Sequence, residues 1–374
     1  MAGPYANEPD RSFHKLRLVK PDGRNLYLYS RAGIPDGIVA TNPQHDPITG
    51  EPHLRFNPLR EEWVAYASHR QNRTFMPPKE YNPLLPSRST DFPTELPVGA
   101  YDVAVFDNLF ASLTADAAEA PPAYLPTRPG TGICEVVVFA QEPDASLATL
   151  PLDHIELLFR VWADRTLEIG RREEIGYVLP FENKGVEVGV TLHHPHGQIY
   201  AYPFVPPIPA KMQQTQAAHY ERTKRGLVED MIEQERRERV RVVYEDADTV
   251  AFVPVCARYP YEVWIAPVRP VAFVHEMTSG EIGSFARALK TVLLKYDGLF
   301  ARPFPYLMVL YQAPTDGRPH PEFHFHVEFF PPLRTRDRLK FLAGTELGAG
   351  MFVNDALPEE KAAELRQVDV GLGD

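Results

Sequence analysis

Apolar and polar positions along this chain fall into two kinds of pattern, and the second half of the sequence repeats the order found in the first. Runs rich in branched and aromatic residues at Leu26 to Ser30, Glu62 to Ala67, Asp102 to Phe106 and Cys134 to Ala140 read as strands. Ile155, Leu158, Phe159 and Trp162 then recur at spacings of three, four and seven, one apolar helical stripe that needs a sheet to pack on. The chain returns as a strand over Gly176 to Phe181, crosses a glycine-bearing loop and enters a histidine strand from His194 to Tyr202. Further along, strands at Val250 to Val253 and Tyr261 to Ala266 lead to a helix from Ser279 to Tyr296. Its stripe is Ile282, Phe285, Ala286, Leu289, Val292 and Leu293, and Thr278 with Glu281 forms a capping box at its start. Strands at Tyr306 to Tyr311 and Phe323 to Phe330 follow.

The repeat reaches the reactive residues. His194-Pro195-His196-Gly197-Gln198 is echoed by His324-Phe325-His326-Val327-Glu328, and paired prolines follow each motif. The copies differ: only the first carries the FENKG run and Gly189, and the second has a carboxylate where the first has an amide, which would repel a phosphate. The second copy is therefore expected to be structural or regulatory. Between them, Ala210 to Arg241 contains ERTKRGLVEDMIEQERRERVR, expected as a solvated mixed-charge helix.

The stretch from Phe181 to Tyr200 looks built for a phosphate and a histidine nucleophile. In an extended strand His194, His196 and Gln198 share one face. Gly185, Gly189 and Gly197 leave backbone amides open to anionic oxygens.

Composition narrows the partners. The net charge of −11 argues against nucleic acid, so an anionic substrate has to be held locally. No apolar run approaches the roughly 18 residues that cross a bilayer, and the first residues lack a secretion signal's apolar core, which predicts no membrane partner and a cytoplasmic protein. Cys134 and Cys256 are the only cysteines; they exclude a disulfide framework and both read as buried packing residues. Proline clusters at Met76 to Pro97, Pro121 to Pro129 and Tyr202 to Pro209 read as ordered irregular connections.

Taken in order, NPLREEWVAYASHRQNR, FDNLFASL, FENKG, HPHGQIY, FHFHVEFFPP and KFLAGTE resemble the galactose-1-phosphate uridylyltransferase family, the transferase branch of the histidine triad superfamily. The resemblance implies an α+β fold of duplicated histidine-triad-like units, a largely antiparallel sheet with helices packed on it. It implies two parts: residues 1–210 carrying the nucleophile and 211–374 as a degenerate second copy. The implied reaction moves UMP from UDP-glucose to galactose 1-phosphate by a ping-pong route through a uridylyl-histidine on His196, giving UDP-galactose and glucose 1-phosphate. Gln198 stands where hydrolytic relatives carry a third histidine; an amide donates to a phosphoryl oxygen but does not activate water, which favours transfer. For the outer nitrogen of His196 to attack, the inner one must carry the proton, which a backbone carbonyl near His194 would fix, and the His194 ring is expected as a hydrogen-bonded support behind the nucleophile.

Other roles carry over by motif. Asn183, Gly189 and Thr191 match residues that hold the nucleotide's phosphates, and Asn108 matches one at the uridine end. Arg70 and Arg73 match a pair that grips the sugar phosphate, and Lys340 and Glu346 match residues that reach the hexose and phosphate. The family implies a homodimer with shared active sites. Two alternatives stay open: a nucleotidyltransferase or phosphorylase acting on ADP-sugars or dinucleoside polyphosphates, and a non-catalytic nucleotide-sugar-binding protein.

The sequence departs from the family at its metals. Many members hold zinc with a Cys-x-x-Cys pair, a later histidine and the first histidine of HPH. Here Leu85 to Val98 has no cysteine and the later histidine is Ala145, so no zinc and no cofactor is expected for the chemistry. A second metal site keeps His326 but has Glu328, Tyr311 and Met212 at its other positions, which leaves His324, His326 and Glu328 as a candidate weak divalent site on one strand face. Leu109 stands beside Asn108 in place of an aspartate, and Thr345 in place of a late tyrosine.

Overall fold

The protein is described here by a computed structural model covering residues 12–43, 51–72, 76–78, 81–88 and 91–372. In chain order its elements are β1 (His14–Val19), β2 (Asn25–Ser30), β3 (His53–Asn57), β4 (Glu62–Tyr66), β5 (Val103–Asp107), β6 (Thr127–Pro129), β7 (Ile133–Val138), α1 (Leu152–Gly170), β8 (Tyr177–Lys184), β9 (His196–Tyr202), α2 (Pro207–Thr223), α3 (Leu227–Glu238), β10 (Val242–Glu245), β11 (Thr249–Phe252), β12 (Val263–Pro267), α4 (Ser279–Leu299), β13 (Tyr306–Tyr311), β14 (His326–Phe330), β15 (Leu333–Thr335), β16 (Arg338–Leu339) and α5 (Pro358–Gln367).

The repeat in the sequence is a repeat in space. One eleven-stranded sheet runs β1-β2-β5-β7-β9-β8-β13-β14-β12-β11-β10. Outward from the central antiparallel β8–β13 pair, each side presents the same succession: β8, β9, β7, β5 and β2 on one side, β13, β14, β12, β11 and β10 on the other. Helix α1 joins β7 to β8 as α4 joins β12 to β13. β3 pairs with β4 and β6 in a small separate sheet.

Alternation along the strands decides which face does what. In β9, Gly197, Ile199 and Ala201 are buried, and the latter two belong to the core shared with α1 and α4, whereas His196, Gln198, Tyr200 and Tyr202 point to the opposite face. The α1 stripe read from the sequence sits in that core: Ile155, Leu158, Phe159 and Trp162 are buried, and Phe159 meets Phe285 of α4 with ring centroids 5.1 Å apart. The capping box holds, with Glu281 N–H donating to Thr278 Oγ1 at 3.3 Å and Thr278 N–H to Glu281 Oε2 at 2.8 Å. A buried ion pair borders this core: Arg165 of α1 forks onto Glu135 of β7 at 2.5 and 3.0 Å, its guanidinium 4.0 Å from the centroid of Tyr27 and its Nη1 2.7 Å from the partly exposed Glu168.

Several expectations need correction. The strand readings hold to within a few residues, but β9 and β14 begin at their second histidines, so His194 and His324 precede the ladders. The linking segment is two helices, because Lys224 turns left-handed (φ 60°) and Gly226 caps a new start with Glu229. α3 is not merely solvated: Val228 and Ile232, one turn apart, pack on Val250, Phe252 and Ala266. Cys134 is buried, whereas Cys256 is exposed. No helix among the described residues is long and apolar enough to cross a membrane.

Candidate active site

The sheet face opposite the helices carries a cleft of about 230 Å³. His196, Gln198, Thr191, Asn108 and Arg70 form its polar side, and Leu84, Phe106, Val136 and Leu192 its apolar floor and wall. Strand register explains the grouping. Gln198 lies across from Val136 of β7, which lies across from Phe106 of β5, so one row of side chains crosses three strands.

His196 is set up as a nucleophile. Its Nδ1 lies 2.7 Å from the carbonyl oxygen of His194; a carbonyl only accepts, so Nδ1 carries the proton and Nε2 keeps its lone pair. Burial pushes its pKa below the ordinary histidine value, which leaves the ring neutral at pH 7. Gln198 is oriented through a short relay. Phe110 N–H donates to Asn108 Oδ1 at 2.9 Å, and Asn108 Nδ2 donates to Gln198 Oε1 at 3.4 Å, which directs the Gln198 amide N–H groups elsewhere. Arg70 lines the cleft while its guanidinium donates to the carbonyl of Phe110 and reaches the Tyr200 hydroxyl at 3.4 Å.

His194 does not join His196 and Gln198 on the cleft face, contrary to the strand reading. Its ring is buried, with Nε2 2.7 Å from the carbonyl of Ala140 and Nδ1 3.0 Å from Asn82 Nδ2. It contributes its backbone carbonyl. The glycines also behave differently from the expectation. The Cβ position of Gly197 lies on the helix side, 2.7 Å from the Phe181 carbonyl and 2.8 Å from the Phe139 ring, so this glycine serves strand packing. Gly189 (φ 79°) donates its N–H to Val186 at 3.0 Å within a tight turn. Asn183 follows Glu182, which pairs with Gly197, and so comes alongside His196 at the edge of the cleft.

Two remaining candidates lie apart. Lys340 is buried, donates to the Val353 carbonyl and lies 3.6 Å from Glu346; neither residue lines the His196 cleft. Arg73 lies outside the described residues. The cleft wall holds residues that the motifs did not indicate. Glu95, ion-paired to Lys20 at 2.7 Å and Arg24 at 2.9 Å, comes from the cysteine-free stretch, and Leu84 from the same loop immediately before it. Asn82 opens that loop; its Asn-Pro dipeptide is a turn signal and was the one sequence hint.

The second copy keeps the frame and loses the opening. His326 Nδ1 lies 2.9 Å from the carbonyl of His324, as in the first copy. Its Nε2 faces Glu328 at 3.2 Å, and its ring lies 5.5 Å from those of both Trp264 and Tyr311. The weak metal triplet is not assembled: His324 turns its Nε2 onto the Pro267 carbonyl at 2.8 Å, and no three potential ligands converge among the described residues. The family's zinc does not fit either, since both ring nitrogens of His194 already have partners, Ala140 and Asn82.

Behind the nucleophile, Glu182 is buried on the helix face with the Tyr306 hydroxyl at 2.9 Å, and burial raises its pKa to about 7, against Lys184 and that hydroxyl. The folded state thus holds a proton that the unfolded chain has lost, so stability falls as pH rises from the ordinary 4.5 to about 7, by about 3 kcal/mol. Glu182→Gln should match the wild type near pH 4.5 and exceed it by about that amount at pH 8. Urea midpoints at the two pH values check this, and equal wild-type and variant midpoints at pH 8 would reject it.

The family model of the galactose-1-phosphate uridyl transferase N-terminal domain matches residues 42–206, and that of the C-terminal domain matches residues 211–371. The chain is 39% identical to a galactose-1-phosphate uridylyltransferase of Thermotoga maritima, over 85% of this chain and 99% of the relative. With a Streptomyces lividans enzyme of the same name it shares 33% identity, over 93% and 96% of the two chains. A solved structure titled a uridylyltransferase superposes with a TM-score of 0.75 at 31% identity, over 84% of this chain and 98% of that one.

Proposed function

The chain belongs to the galactose-1-phosphate uridylyltransferase family, and from that premise we propose that it transfers UMP from UDP-glucose to galactose 1-phosphate, with Nε2 of His196 carrying the UMP between them. The observation that carries the assignment of the nucleophile is the 2.7 Å contact of His196 Nδ1 with the His194 carbonyl, which leaves Nε2 its lone pair in a cleft with Gln198.

In the first half-reaction Nε2 bonds to the uridine-side phosphorus as the bond from that phosphorus to glucose 1-phosphate breaks. The leaving group departs as an anion and needs no acid. The positive charge that the ring acquires is shared through Nδ1–H with the His194 carbonyl. A phosphate oxygen of galactose 1-phosphate then attacks the same phosphorus, giving UDP-galactose and restoring the lone pair of Nε2. Gln198 donates an amide N–H to the phosphoryl oxygens but supplies no base for water, so transfer outruns hydrolysis. The apolar row of Leu84, Phe106 and Val136 supports the base, and Asn108 the nucleoside end. Thr191, Asn183 and the turn at Gly189 border the phosphates, and Arg70 and Arg73 take the sugar phosphate.

We extend the reading to a homodimer working in the cytoplasm. Lys340 and Glu346 sit away from the cleft of their own chain, in a segment that exposes Phe341, Leu347 and Met351. Those apolar side chains suit a second copy packed on the segment that Lys340 and Glu346 hold in shape through the Val353 and Ala343 backbone. Light scattering should return twice the chain mass at micromolar concentration, and a monomer mass would defeat this part.

Intact mass after mixing with UDP-glucose tests the reaction. An added UMP is the expected result. An added AMP from ADP-glucose, or tight UDP-glucose binding without an adduct, would overturn it.

A further inference from the structure

We propose that Asn82 is a positioning residue for the nucleophile, an amide brace occupying the nitrogen of His194 that a metal would otherwise have to take. The proposal rests on the reading of His196 as the attacking group.

The hydrogen-bond pattern leaves one consistent assignment. Nε2 of His194 lies 2.7 Å from the Ala140 carbonyl and must donate, so Nδ1 has only a lone pair to offer. Asn82 Nδ2 lies 3.0 Å from that lone pair, while Asn82 Oδ1 accepts the Leu84 N–H at 3.0 Å. A flipped amide would set oxygen against a lone pair and two N–H groups against each other, so the orientation is fixed at both ends. The His194 ring is thereby held neutral, in one tautomer and one rotation, with no nitrogen left for zinc.

The brace joins two things that the reaction needs together. Asn82 begins the loop whose Pro83, Leu84 and Glu95 wall the cleft, and Glu95 N–H closes that loop onto the Pro83 carbonyl at 2.9 Å. His194 presents its carbonyl to His196 Nδ1 at 2.7 Å. Wall and nucleophile are thus registered through one side chain, the task that a metal linking the same loop to the first histidine would perform. Outer partners of this kind commonly matter by about 10–100-fold.

The test compares wild type and Asn82→Ala, labelled with 15N-histidine and assigned with His194→Gln. In the wild type, His194 should show the Nε2–H tautomer with a hydrogen-bonded Nδ1, and the purified protein should carry no stoichiometric metal. In Asn82→Ala the Nδ1 resonance should move to that of an unbonded lone pair, and kcat should fall about 10–100-fold with KM for UDP-glucose within about threefold. A wild-type His194 protonated at Nδ1, a metal bound to it, or an Asn82→Ala enzyme with unchanged kcat overturns the proposal. Should the wild type form no UMP adduct at all, the proposed function fails instead, and the histidine spectrum still reports on the brace.

Discussion

His196→Asn is expected to lose UMP transfer by at least about 10⁴-fold, because the step removed is the bond to phosphorus itself. Asparagine is small enough for the site and its amide can still donate to the His194 carbonyl that now takes Nδ1–H. It retains a polar contact and loses the nucleophile. Exchange of label between UDP-glucose and glucose 1-phosphate isolates the first half-reaction and needs no acceptor sugar. His326→Asn is the matched control. That ring is closed off by Glu328, Trp264 and Tyr311, so its loss should leave exchange intact. Undiminished exchange in His196→Asn would end the covalent reading.

The second large effect is on stability. Arg165→Leu should cost about 3–5 kcal/mol, since it strands the carboxylate of Glu135 in a core where both residues are 1% exposed. Paired replacement, Glu135→Leu with Arg165→Met, should recover most of the loss, because two apolar side chains need no compensation. Urea unfolding of the two variants beside the wild type separates the cases. A single replacement that costs under about 1 kcal/mol would show that water reaches Glu135 and that the pair is not enclosed.

How far the sequence carried depended on whether a signal was local. The α1 and α4 stripes and the Thr278 cap were legible because each is written within a few turns of helix. The duplication was legible because His194 to Gln198 and His324 to Glu328 repeat in order, and the mirrored sheet bears it out. What the sequence could not give was direction at the strand ends. Treating His194 as part of an extended strand put it beside His196, whereas β9 starts only at His196 and the first imidazole turns into the core onto Ala140. Distant contacts were equally invisible: nothing local announces that Asn82 meets a ring 112 residues away, or that Glu95 walls the cleft. Strand β1 went unread because its charged residues obscure the apolar alternation, and β3, β6 and β10 because runs of three to five residues are too short to show a period.

An open sheet of eleven strands has two rims, and rims invite strand addition by neighbouring molecules. On one side β1, the last strand among the described residues, carries His14, Lys15 and Arg17, with Lys15 drawn back onto Asp164 at 2.6 Å and Glu168 at 2.5 Å. On the other, Arg366 of α5 ties up the carbonyls of Val240 and Val242 at 2.8 and 2.9 Å along β10. Both borders are guarded against templated growth into fibrils, and self-association is left to loops and faces where it can close on itself.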